Sequence, residues 1–277
     1  MNVLGIGHAG CQIAKYFSNL SQYRVFSVDT EDDGYENFIK VKRQNSHEDY
    51  EKNYSPLKLK NCKGETLVVL SGAGKISGLA LRLLNQLKDN DIYILYIKPN
   101  KEDMSQQATL RHRTTIGVLQ QYARSDVFKR MYVIDNEIVE SVADGASIQN
   151  YWQEINNIIA STFHMLKVFE NTEPLLNTTP TPPITSKIAT YGVVNYDSFK
   201  EKAFYGLQGT RCKKYFFGIN SASLEQDKGL LKKIRSFVGK ESDEKIDAGF
   251  AIYSTDYEKN YVYCEHYTTL IQEEKEI

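Results

Sequence analysis

Two glycine-rich stretches in this chain each follow an apolar run and lead into a helical pattern. The first is Gly5-Ile6-Gly7-His8-Ala9-Gly10-Cys11-Gln12, straight after Asn2-Val3-Leu4. The second is Ser71-Gly72-Ala73-Gly74-Lys75-Ile76-Ser77-Gly78, straight after Thr66-Leu67-Val68-Val69-Leu70. A glycine turn between a strand and a helix lets main-chain N–H groups and the positive end of the helix dipole converge on an anion. Two such turns suggest a nucleotide held from both sides of its phosphates. In the first, Gly5, Gly7 and Gly10 permit close backbone approach. In the second, Gly72, Gly74 and Gly78 do the same, with the Ser77 hydroxyl as a further donor. Asn136 lies just past an apolar run, where a ligand crevice opens in α/β sheets. Its amide can donate and accept. Trp152 and Asn156 are four apart and share one helix face.

These residues need a scaffold, and the hydrophobic pattern supplies one. Strands fit residues 2–6, 24–28, 38–41, 66–70, 91–97 and 131–134, and helices fit 10–20, 77–88 and 103–122. The strands are apolar throughout and alternate with helices, which indicates a parallel sheet covered on both faces. From Ser147 to about Phe169, Ile148, Trp152, Ile155, Ile158, Ile159, Phe163, Leu166 and Phe169 make a long helix with a broad apolar stripe. The stretch 171–183 holds four of the chain's six prolines, which reads as a linker or hinge. Beyond it, strands fit 187–194, 215–219, 248–253 and 261–268, with one helix at 224–238. The expected organisation is a nucleotide-binding domain at 1–146, a central helix at 147–170, a proline-rich linker at 171–183 and a small α/β domain at 184–277.

Composition narrows the function classes. At 277 residues the chain can bury a good core. A net charge of -1 favours neither nucleic acid nor an anionic membrane. No apolar run approaches the roughly 20 residues of a spanning helix, and no leader pattern precedes the first strand. Cys11, Cys62, Cys212 and Cys264 show no CxxC spacing and no companion histidine cluster, which argues against zinc. Their scatter reads as a reduced cytoplasmic protein.

Taken in order, the motifs resemble those of the tubulin/FtsZ superfamily, in a shortened form such as phages and plasmids carry, and the resemblance covers nearly the whole chain. Gly7-His8-Ala9-Gly10-Cys11-Gln12-Ile13 looks like the first phosphate loop of tubulins, GxxGxQI. Val28-Asp29-Thr30-Glu31 is similar to the FtsZ segment VNTD. Gly72-Ala73-Gly74-Lys75-Ile76-Ser77-Gly78 sits where the family carries GGGTG(S/T)G. Ile97-Lys98-Pro99 resembles the strand ending TKP, and Ile134-Asp135-Asn136-Glu137 matches the IDNE that tubulins place before the central helix. The resemblance implies an N-terminal GTPase-like domain, a long central helix and a second α/β domain. It also implies GTP as ligand, with Mg²⁺, and head-to-tail self-assembly into filaments. By the same resemblance Trp152 stacks on the base, Asn156 and Asn136 read guanine, and Arg111 contacts the nucleotide.

The departures carry their own expectations. Lys75-Ile76 replaces the signature's Thr-Gly pair, and the lysine could neutralise phosphate charge. His8 stands where tubulins carry Gln. Asn177-Thr178-Thr179-Pro180-Thr181-Pro182 occupies the slot of the acidic NxDxxD loop. Asn177 remains and no acid follows it, so the expected hydrolysis is slow or absent, a weak GTPase at most. The acidic run Glu31–Asp33 could hold Mg²⁺ through water. Two alternatives stay open: a non-polymerising relative that binds or caps a host or viral filament, and a Rossmann-type NAD-dependent oxidoreductase, since Gly5–Gly10 fits GxGxxG and Asp29 follows the second strand. Structural readings also stay open for single residues. Asn136 could be a helix N-cap, Trp152 core packing, Gly72–Gly78 a turn without ligand, and Lys75 a solvated lysine.

Overall fold

The computed structural model describes residues 1–32, 34, 36–143 and 149–273. The fold is α/β, and the chain divides into two compact units, Met1–Ala160 and Ser161–Ile277.

In the first unit the strands are β1 (Asn2–Ile6), β2 (Arg24–Asp29), β3 (Phe38–Lys40), β4 (Glu65–Ser71), β5 (Asp91–Lys98) and β6 (Arg130–Asp135). They lie in the order β3-β2-β1-β4-β5-β6, and every pairing is parallel. Val3, Leu4, Leu67, Val68, Val69 and Leu70 are fully buried. Both faces of the sheet are therefore covered, as the unbroken apolar runs require. The helices are α1 (Gly7–Phe17), α2 (His47–Lys52), α3 (Ala80–Gln86), α4 (Gln106–Arg124) and α5 (Asn136–Glu140), with α6 (Tyr151–Glu170) running across the unit boundary. A 3₁₀ turn, Lys75–Leu79, precedes α3, so the expected helix at 77–88 is shorter and starts tightly wound. Residues 144–148, where the long helix was expected to begin, lie outside the described residues.

The strand order decides where a ligand can sit. From β1 the chain steps out to β2 and β3, then returns to the other side of β1 as β4. The reversal opens a crevice at the carboxyl ends of β1 and β4. Register aligns those ends: Ile6 pairs with Leu70, Ser71 with Ile97, and Lys98 with Asp135.

In the second unit β7 (Leu176–Asn177), β8 (Ile188–Val194), β9 (Glu201–Ala203), β10 (Thr210–Asn220), β11 (Asp247–Thr255) and β12 (Tyr261–Thr268) join α7 (Ser221–Gln226) and α8 (Leu230–Glu241). The order is β8-β12-β10-β11-β7, with β9 on β8. Among the described pairings of this unit, β10 with β11 is parallel and the others are antiparallel. Alternation along β10 sorts its side chains to two faces. Tyr215 and Phe217 join Leu230, Ile234 and Val238 of α8 in one apolar cluster. Phe216, on the other face, lies parallel to Phe169 of α6, which also stacks on Tyr253 at 4.4 Å.

Two sequence expectations change here. The single helix at 224–238 is two, because Asp227 accepts from the Gly229 amide and pairs with Lys233, turning the chain between them. The stretch read as a linker is also partly built into the second unit. β7 pairs with β11, and Thr178 exchanges hydrogen bonds with the Phe250 main chain.

Candidate functional site

At the carboxyl ends of the first unit's strands lies a cavity of about 910 Å³, within the range of nucleotide-sized ligand sites. Four structural groups build it: α1, Ser71 at the end of β4, the end of β5 with residues 99–103, and Asn136 with the first turns of α6.

The chain enters α1 directly from β1. Ile6, its N-cap, makes no side-chain cap, and no acid stands in the first turn. The first N–H groups of an uncapped helix have no internal partner and face whatever lies beyond. His8 and Ala9 are exposed there and line the cavity with Gln12. Gly7 has φ +69, and a Cβ on it would stand 2.6 Å from Ile76 Cγ2, so the two glycine turns touch. A Cβ on Gly10 would meet the Val69 carbonyl at 2.3 Å; this glycine lets α1 press onto β4. Cys11 is buried and turns its thiol to the Gly5 carbonyl.

The second turn is arranged differently from the first. A Cβ on Gly72 would collide with the Tyr96 hydroxyl at 2.2 Å, and one on Gly78 with the His47 carbonyl at 2.0 Å. Both glycines thus serve the packing of neighbouring elements. Ser77 is buried, and its hydroxyl bonds the Gly72 and Gly74 carbonyls, so the expected free donor is committed inside the turn. Arg111 on α4 donates Nε–H to the Ala73 carbonyl at 2.8 Å and braces the turn from behind. Gly74 and Lys75 are exposed. Of this stretch only Ser71 lines the cavity, so Gly72, Ala73, Gly74, Lys75, Ile76, Ser77, Gly78 and Arg111 stand beside it.

Asn136 is not the cap of α5. Asp135 takes that place, accepting from the Glu137 amide and from Lys98 Nζ at 2.6 Å. Asn136 faces the cavity, and among the described residues its buried Oδ1 has no hydrogen-bond partner. A buried amide oxygen without a partner is costly, and a bound ligand would relieve that cost. Trp152 is 53 % exposed, which rules out core packing, and it lines the cavity with Asn156 one turn on. Tyr151 stands edge-on to Trp152 at 5.1 Å. Its phenol is pushed up to about 12 by desolvation first and then by its bond to the Glu140 carboxylate.

Seven lining residues escape the sequence reading: Lys15, Tyr16, Asn19, Asn100, Asp103, Gln153 and Asn157. A signal for three was present. Gln12, Lys15, Tyr16 and Asn19 recur at helical spacing opposite apolar Ile13, Ala14 and Phe17. Of the run Glu31–Asp33, Glu31 and Asp32 are not among the lining residues; Asp32 accepts from the Gly34 amide, and Asp33 lies outside the described residues.

No protein-family model matches this sequence, and no curated protein does. Solved structures match over nearly the whole chain. The GDP-form protofilament of TubZ from Bacillus thuringiensis serovar israelensis superposes with a TM-score of 0.71 at 16% identity, covering 98% of this chain and 87% of that one. The GTPγS-bound protofilament of CetZ2 from Haloferax volcanii gives 0.66 at 12% identity, covering 96% and 92%. The M. jannaschii FtsZ dimer gives 0.66 at 11% identity, covering 96% and 87%. This chain has the tubulin/FtsZ-superfamily fold.

Proposed function

We propose that this chain is a tubulin-like, guanine-nucleotide-binding protein that assembles head to tail into filaments and hydrolyses its nucleotide slowly or not at all. The observation that carries the reading is the unpartnered Asn136 Oδ1 in a cavity shared with Trp152, Asn156 and the uncapped start of α1.

In this reading the base enters between Trp152 and the amides of Asn136 and Asn156. Trp152 offers a flat face for stacking. The two amides, each donor and acceptor at once, answer the mixed donor and acceptor edge of guanine. The phosphates lie toward residues 7–12, where His8, Ala9 and Gln12 meet the positive end of α1. Lys15 in the lining and Lys75 beside it supply positive charge. Ile76 against Gly7 narrows the approach to the second turn. A magnesium ion would ride on the phosphates.

Slow hydrolysis follows from the segment after α6. Asn177 Oδ1 is held in a local turn by the Thr179 amide and hydroxyl. No carboxylate follows it before β8 to position a water. A missing general base or water-positioning acid typically costs 10²–10⁴-fold in rate, so turnover should fall by roughly that factor. The proteins with the matching fold include protofilaments, and a heterologous contact that does not close extends into a filament.

A thermal-shift panel with GTP, ATP and NAD tests the reading. GTP at about 100 times its Kd adds about 2.7 kcal/mol, which raises the midpoint of a chain this size by about 5–10 °C. ATP and NAD leave it in place. Stabilisation by NAD alone would point to the dehydrogenase alternative. Sedimentation with GTP then separates a filament former from a relative that only caps another filament.

A further inference from the structure

Away from that cavity, the second unit gathers three side chains whose types ligate transition metals, two of them buried and Glu201 half-buried. Cys264 and His266 are two apart on β12 and so face the same side of the sheet. Glu201 reaches them from β9. The ligand atoms of Glu201, Cys264 and His266 all lie within 4.8 Å of one another. Cys264 is fully buried and His266 is 5% exposed.

The geometry around the cluster is more than a simple ion pair. His266 Nε2 stands 3.2 Å from Glu201 Oε1, an ion-pair distance, but among the described residues this buried nitrogen has no aligned hydrogen-bond partner. Two ligands about 2.1 Å from one tetrahedral ion stand about 3.4 Å apart, so the observed spacing suits a shared cation. The Tyr215 hydroxyl holds the other carboxylate oxygen, Oε2, at 2.5 Å. That bond leaves Oε1 turned toward the histidine, as a supporting residue around a metal would do. Lys213 does not fill the place: its Nζ is 2.6 Å from Glu241 and 3.8 Å from Glu201.

We propose that Glu201 Oε1, Cys264 Sγ and His266 Nε2 form a structural site for zinc(II), with water as the fourth ligand, tying the β8–β9 hairpin to β12. A thiolate, an imidazole and a carboxylate suit this borderline-soft ion. The charges also balance. Zinc(II) displaces the thiol proton to solvent, and two positive charges then meet one thiolate and one carboxylate around a neutral imidazole. The occupied site therefore carries no net charge.

The test uses the full chain, stripped with EDTA and dialysed against zinc(II) or cobalt(II). The site predicts one zinc per chain, a thiolate-to-cobalt charge-transfer band, and an unfolding midpoint several degrees higher with metal. Cys264→Ser should abolish the band, His266→Gln should weaken binding at least 10²-fold, and Cys212→Ser should change neither. Absence of stoichiometric metal at micromolar zinc overturns the proposal, as does cobalt binding without the band or a band that survives in Cys264→Ser. If Cys264→Ser does not fold, His266→Gln and the parent chain decide: undiminished binding in His266→Gln places the metal elsewhere.

Discussion

Asn136 shows how one residue changes meaning between sequence and structure. In the sequence it stands where a helix begins, and asparagine is a favoured cap. In the structure Asp135 caps α5 and is itself held by Lys98, which releases the Asn136 amide to the cavity. Asn136→Ala should therefore leave the fold intact and weaken GTP by about tenfold or more, the loss of one or two amide hydrogen bonds at about 1.4 kcal/mol per factor of ten. Calorimetric titration reads this directly; an unchanged affinity would remove Asn136 from the site. Trp152 follows a similar course. Its place on an apolar stripe at helical spacing suggests core, but α6 begins beside the cavity mouth, and the stripe turns inward only from Ile155 onward. Periodicity alone could not show where the helix leaves the core. The Glu201, Cys264 and His266 cluster was illegible for a related reason: its members are brought together by the pairing of β8 with β9 and β12, and no short-range spacing records that.

Between single residues and the whole chain, the two glycine turns illustrate how much an element's sequence can say. That each strand ends in a glycine turn and runs into a helix was legible, because apolar runs and glycines mark both. Which glycines face a ligand was not legible, since it depends on what packs behind them. Gly78 lies against the His47 main chain, whereas a Cβ on Gly74 meets nothing nearer than 3.8 Å. Gly78→Ala should cost about 1–3 kcal/mol or more in urea unfolding, and Gly74→Ala close to nothing; equal effects would contradict this division. The same contact makes the second turn sensitive to pH. Burial first, assisted by the Arg111 cation and opposed by Glu48 and Glu51, holds the His47 imidazole below its ordinary 6.5. The unfolded chain then binds the proton more readily than the folded one. Stability contributed by neutral His47 is complete above pH 6.5 and declines as the pH falls below it. His47→Gln should make the fall in unfolding midpoint from pH 7 to 5.5 shallower. An unchanged slope would mean that His47 is not a source of the dependence.

For the molecule as a whole, the proposed function makes the chain a filament former that turns over slowly because no acid follows Asn177 before β8. With GTP, light scattering should rise and persist, while phosphate release stays roughly 10²-fold or more below that of relatives with an acidic loop. Rapid release coupled to assembly would require a carboxylate from elsewhere in the chain. The parallel character of the first unit's sheet was legible, since strands alternating with helices imply it. The β1 to β4 reversal that opens the crevice was not, because strand order lies in the pairing and leaves no local trace. Everything functional rests on a nucleotide occupying that crevice, and the chain carries its own probe. Trp152 is its only tryptophan, and it lines the cavity. Titrating GTP or GDP should change Trp152 emission saturably at one equivalent, with ATP and NAD silent and Asn136→Ala shifting the curve to higher concentration. If GTP leaves the emission unchanged while calorimetry shows that it binds, the nucleotide sits elsewhere, and if it does not bind at all, the site is not a guanine-nucleotide site.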